Sequence, residues 1–208
     1  MRTDAGNTDD WRRVAEAGHS GDETLARSSL DADDPVLREL SLGALARMGA
    51  LTERDLLVAF ADAHHSVRRR AAILSAKRPE IALTALLHDT NEAVLEAAAW
   101  ACGEHEVISD EEFTMVVALA TEATEPLVRE AAIAALGAIG DERGLPAILA
   151  GCADKPAIRR RAVLALAPFS GPLVDAALQT ALQDRDWQVR QAAEDLLPRV
   201  AVDEREVL

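Results

Sequence analysis

The chain has 208 residues, enough for one domain or a modest repeat array, and its 49% hydrophobic content excludes disorder by composition. Aromatic residues make up 3% and tyrosine is absent, so the apolar content is mostly Ala, Leu and Val, which favours closely packed helices. Lys and Arg total 22 against 36 Asp and Glu, and the net charge of −14 speaks against nucleic acid and anionic membranes, both of which are held by cationic contacts.

The opening residues, MRTDAGNTDD, contain no apolar stretch of signal-peptide type, and no uncharged apolar run reaches transmembrane length. A cytoplasmic location is the expectation. Residues 1–20 read as an N-terminal tail and cap helix, with Trp11 as the anchor of the helix. From residue 21 to residue 200 the chain repeats itself.

Six segments align on one aliphatic residue: LRELSLGALA from Leu37, VRRRAAILSA from Val67, VLEAAAWACG from Val94, VREAAIAALG from Val128, IRRRAVLALA from Ile158 and VRQAAEDLLP from Val189. These anchors are 30, 27, 34, 30 and 31 residues apart. Four positions on, each segment has a small residue: Ser41, Ala71, Ala98, Ala132, Ala162 and Ala193. Small or apolar residues at 0, +4, +7 and +8 form one helical stripe, and the small +4 position admits a neighbouring helix at short range. Pro35, Pro126 and Pro156 stand two before an anchor, in a first helical turn where the missing N–H is not needed. Asp62, Asp89 and Asp184 stand five before theirs, placed to close the turn. Gly49, Gly140 and Gly171 follow at the distance of a helix C-cap.

Between these helices lie second apolar segments near Leu56, Leu83, Val116, Ile148 and Leu178, each predicted to form a helix of two to four turns. The unit is helix, turn, helix, and one unit cannot bury its apolar face alone. The fold class is therefore all-α, a right-handed α-solenoid of about six stacked helical hairpins. Residues 201–208, AVDEREVL, form an acidic C-terminal tail.

VREAAIAALGAIGD at 128–141, and Asp184 followed by VRQAA, resemble the short HEAT-like repeats also found in phycobilin lyases. In that family an Asp closes the hairpin turn and a Val-Arg pair opens the second helix. The sequence departs from this pattern at Leu95, which replaces the Arg, and at Ala123 and Ala153, which stand where the Asp is expected. The resemblance implies that the second helices line a concave face. Positions +2 and +6 then point into a groove formed by Arg69, Ile73, Glu96, Trp100, Glu130, Ala134, Arg160 and Leu164. This strip is apolar at its centre and charged at its flanks, which suits a protein or peptide partner.

Arg38, Arg68, Arg129, Arg159 and Arg190 follow the anchors and are expected to pair with turn aspartates between repeats. Cys102 and Cys152 stand alone in apolar surroundings and read as core residues of a reducing compartment. The five histidines have no Cys or carboxylate at metal-ligand spacing and are expected in solvent. No phosphate-binding glycine loop, nucleophile elbow or EF-hand loop is present. The sequence thus describes a non-enzymatic interaction scaffold with no cofactor, no metal, no nucleic acid and no membrane partner. The resemblance also allows a chromophore- or small-ligand-handling factor akin to phycobilin lyases, or a HEAT-like DNA glycosylase.

Overall fold

The computed structural model describes residues 4–197, and the acidic tail at 201–208 lies outside them. All regular structure among the described residues is helical, in the order α1 (Asp4–Ser20), α2 (Glu23–Ser28), α3 (Pro35–Met48), α4 (Glu53–Phe60), α5 (His65–Ser75), α6 (Thr84–Leu87), α7 (Glu92–Gly103), α8 (Asp110–Glu122), α9 (Pro126–Ile139), α10 (Leu145–Gly151), α11 (Pro156–Ala165), α12 (Pro172–Ala181) and α13 (Trp187–Leu196). Six hairpins, α2/α3 through α12/α13, stack as an α-solenoid.

The second helices α3, α5, α7, α9, α11 and α13 each pack on the next in an unbroken row, and α1 continues that row beyond α3. The Trp11 indole N–H donates to the Asp34 carboxylate at 2.7 Å, tying α1 to the residue that caps α3. The core is one continuous cluster in which Leu45, Leu56, Leu83, Ile133, Leu136, Ile148, Ile158 and Leu166 are fully enclosed. The small +4 residues all lie buried between helices. Gly137 faces the backbone of Ala165 so closely that an added Cβ would sit 2.7 Å from Ala165 Cα, and Gly103 meets Ala135 in the same way.

Helix ends follow the local chemistry. Pro35, Pro126 and Pro156 occupy first helical turns. Gly49 and Gly140 end their helices in the left-handed conformation at φ 70°, where a Cβ would be strained. Gly171 differs from expectation: α11 ends earlier, at Ala165, and Gly171 precedes α12 with φ 112°. The segment near Leu83 forms a single turn, α6, instead of two or more. Its unit is the shortest, with anchors only 27 residues apart, and Pro79 stands just before it. The irregular stretch is held by Glu112, whose carboxylate accepts the Leu83 N–H at 2.6 Å.

A ladder of ion pairs joins consecutive turns. Arg38 grips Asp62, Arg68 grips Asp89, Arg129 grips Asp154 and Arg159 grips Asp184, each through two guanidinium nitrogens at 2.6–3.0 Å. A third nitrogen of each Arg donates to carbonyls of its own hairpin turn. Arg190, in the last hairpin, donates to the Asp184 carbonyl. Ala153 costs the ladder nothing, because Asp154, one residue later, takes the Asp role. Leu95 and Ala123 remove both partners of one rung together, so neither charge is stranded. At that junction α7 and α9 are instead joined by close packing of small residues.

Arginine hydrogen bonds hold Asp89, Asp154 and Asp184 below the ordinary carboxylate range, against burial. For Asp62 burial is the largest influence and pushes upward, yet Arg38 and the His64 amide bring the net shift down. A depressed folded-state pKa means that the unfolded chain takes up more protons as pH falls through the usual aspartate value of about 3.9. The ladder therefore contributes fully above that value and is lost as pH falls through the folded-state values. Denaturant midpoints measured across pH are expected to be flat near neutrality and to fall steeply below about pH 4. A midpoint that rises on acidification would contradict the ladder's role.

Candidate functional site

Two rows of residues, one on α7 and one on α9, bound a cleft, a trough of about 430 Å³ open to solvent. Glu96, Trp100, Gly103 and Glu104 come from α7 and its end. Leu127, Glu130, Ala131, Ala134, Ala135 and Ala138 come from α9, and Arg161 reaches in from α11. The trough exists because α9 presents alanines along this face where longer side chains would fill the gap. From Leu127 to Ala138 it runs about 16 Å at 1.5 Å per helical residue.

Trp100 is 41% exposed and Leu127 is 55% exposed, so apolar surface faces water inside the trough. Glu96 and Glu104 make no hydrogen bond or ion pair among the described residues. Glu130 meets Arg161 at 3.6 Å, an ion pair without a hydrogen bond, and Arg161 Nε is buried without an acceptor. The charge at the trough is three carboxylates against one guanidinium.

Of the eight residues expected in the groove, Glu96, Trp100, Glu130 and Ala134 share this cleft. Arg69, Ile73, Arg160 and Leu164 lie outside it, on the neighbouring helices α5 and α11. A smaller cleft farther along the same row takes Glu39 and Gly43, the +2 and +6 residues of α3, with Arg47 and Arg70. Sequence reasoning missed Gly103, Glu104, Leu127, Ala131, Ala135, Ala138 and Arg161. Part of the signal was present: Glu104, Leu127 and Ala138 continue the +2/+6 stripe by one turn, at i+4 or i−3, whereas Ala131 and Arg161 stand one residue after a +2 position and join the cleft through packing.

Other features have local explanations. A cavity between α3 and α4 is lined by Arg27, Arg38, Asp55 and Asp62, but these neutralise one another. The Cys102 thiol is pushed up to about 12 by burial and by the nearby Glu112 charge, and the Cys152 thiol to about 11 by burial, so neither is a ready nucleophile. His64 caps α5 and its ring stacks on that of His65 at 4.7 Å. His105 is buried, not solvated: its Nε2 lies 2.9 Å from the Ser75 carbonyl. Trp187 is 65% exposed at the start of α13. Among the described residues no helix is long and apolar enough to cross a membrane.

A family model described as HEAT repeats matches residues 80–167 and, in a second alignment, 116–198. Comparison with curated protein sequences gives no match. Among solved structures, a designed armadillo repeat protein in complex with the peptide (KR)4 superposes with a TM-score of 0.60 at 17% identity, covering 84% of this chain and 97% of that one. A second designed armadillo repeat protein gives 0.56 at 16% identity, with coverage of 83% and 97%. YibA of Escherichia coli gives 0.62 at 17% identity, with coverage of 93% and 74%. At these identities the likeness concerns the fold alone.

Proposed function

The chain belongs to the HEAT-repeat family, and we propose that it is a non-enzymatic interaction scaffold whose second helices hold a protein or peptide partner in the cleft around Trp100. The observation that carries this reading is apolar surface exposed inside a trough. Trp100 and Leu127 face solvent there although Val94, Val128, Ile133 and Leu136 of the same two helices are buried. Exposed apolar surface with a charged rim is characteristic of binding sites, and tryptophan is over-represented among the residues that dominate binding energy. One of the structures with a similar fold is itself a peptide complex, which supports the choice of occupant by analogy.

The DNA-glycosylase reading is disfavoured by Glu96, Glu104 and Glu130 at the middle of this face, because they would repel a duplex. The phycobilin-lyase resemblance implies a bound tetrapyrrole instead of a peptide, and the same variant separates the two.

Peptides selected from a displayed library on the intact chain are expected to bind Trp100→Ala about tenfold more weakly, the loss typical of a central aromatic contact. The variant's thermal midpoint should stay close to that of the parent. Equal affinity for parent and variant would remove the cleft from consideration. A bilin whose absorbance changes on mixing with the parent, but not with the variant, would replace the peptide by a chromophore.

A further inference from the structure

We infer that the occupant of this cleft is a basic peptide segment, with a lysine or arginine side chain lying over Trp100 among Glu96, Glu104 and Glu130. This rests on the reading of the cleft as a binding site and specifies its partner. Charge complementarity is the first argument. Four turn acids elsewhere in the chain are consumed internally: Asp62, Asp89, Asp154 and Asp184 are each gripped by an arginine. Glu96 and Glu104 have no such partner among the described residues, and Arg161 answers Glu130 only at 3.6 Å.

Helix electrostatics sharpen the point. Glu104 sits at the C-cap of α7, where the carbonyl end of the helix already carries partial negative charge. No basic residue occupies the last turn of α7 or of α9. An acid at that position opposes the stability of its own helix, and a cation supplied from outside relieves both charges. Trp100 adds a π face beside the carboxylates, suited to an ammonium or guanidinium group, and Leu127 adds a surface for an aliphatic stem. An open trough of about 16 Å admits roughly five residues of extended chain at about 3.3 Å each. An acidic segment would be repelled, and a neutral one would leave the carboxylates desolvated and unpaired.

Three labelled peptides test the inference by fluorescence anisotropy with the full chain: alternating lysine–serine, glutamine–serine and glutamate–serine. The lysine peptide should bind, and binding should weaken steeply as salt is raised from about 50 to about 500 mM, as screening requires. The glutamine and glutamate peptides should not bind. Glu96→Gln with Glu130→Gln should weaken the lysine peptide about tenfold or more, while the charge-matched control Glu111→Gln with Glu122→Gln on α8 should change it less than about twofold. Equal losses in the two double variants would show diffuse attraction to an acidic protein and overturn the inference. So would binding of the glutamine peptide as tightly as the lysine peptide. Library-selected peptides that need Trp100 but carry no excess of lysine or arginine would overturn the basic occupant and leave the cleft reading standing. If no peptide of any composition binds, both readings fall.

Discussion

Gly137→Ala is expected to destabilise the protein, reversing the usual sign of a glycine-to-alanine change within a helix. At an unconstrained helical position alanine is favoured by about 1 kcal/mol, because glycine loses more backbone freedom on folding. Gly137 lies inside α9, but its Cβ would fall 2.6 Å from Ala165 Cβ, 2.7 Å from Ala165 Cα and 3.0 Å from the Ala165 carbonyl oxygen. Two of these atoms belong to backbone and cannot rotate away, so α9 and α11 must separate. Separation along a solenoid loosens every side chain between the two units, since each unit is held only by its neighbours. Overpacking of this kind costs about 1–3 kcal/mol, enough to outweigh the propensity gain, and Gly137→Val should cost more. Chemical denaturation of parent and both variants measures it. A raised midpoint for Gly137→Ala would mean that the helices do not approach as closely as described.

Arg68→Ala should produce a loss of similar size through a different mechanism. Arg68 makes bonds of 2.6 and 2.9 Å to Asp89 and bonds of 2.9 and 3.2 Å to the carbonyls of Asp62 and Ala63. The side chains of Arg68 and Asp89 are 16% and 7% exposed, so truncation strands a nearly buried carboxylate and two turn carbonyls together. Leaving such groups unsatisfied costs about 2–3 kcal/mol, below the 3–5 kcal/mol of a fully buried pair because water still reaches one edge. Asp89 would retain the Asn91 N–H at 2.8 Å, which also limits the loss. A double-mutant cycle with Asp89→Ala isolates the pair: the double variant should be more stable than the sum of the single losses predicts, because the stranded charge is gone. Strict additivity would show that the contact contributes nothing. The natural combination of Leu95 with Ala123 has the same logic, since both partners of one rung are absent and neither charge is left alone.

Much of this architecture is legible in the sequence. The anchor at Val128, the small residue at Ala132 and the proline at Pro126 are local signals, each acting within one or two turns of a single helix, and all three behave as the pattern predicts. The arginines after the anchors are legible as a ladder because the repeat places the next turn's acid 21 to 25 residues further on, four or five before the next anchor. The failures are also local in origin. Gly171 stands at C-cap distance from its anchor, but α11 ends early, at Ala165, and the glycine's backbone freedom serves the entry to α12. The segment near Leu83 has helical composition, yet its unit is too short to hold two full helices, and the Glu112 carboxylate fixes it in a different conformation.

The candidate site was only half legible, for a reason that applies to any solenoid. Periodicity states which face of a helix a residue occupies, so Glu96 and Trp100 could be placed together on α7, and Glu130 and Ala134 together on α9. It does not state which adjacent pair of helices leaves a gap. Arg69, Ile73, Arg160 and Leu164 share the register of the cleft residues and remain outside the cleft. The gap opens between α7 and α9 because α9 carries alanines opposite Trp100 while Gly103 keeps the two backbones close. The sequence by itself determined the helical repeat, its register and its inter-repeat clamps, because those follow from spacings within a unit and from one unit to the next. The tertiary structure alone decided that Asp154 replaces the missing acid at Ala153, and that Glu104, Leu127 and Arg161 join Trp100 in one trough. Those outcomes depend on how two surfaces meet, and side chains from different helices meet according to packing distance and volume, which no spacing along the chain encodes.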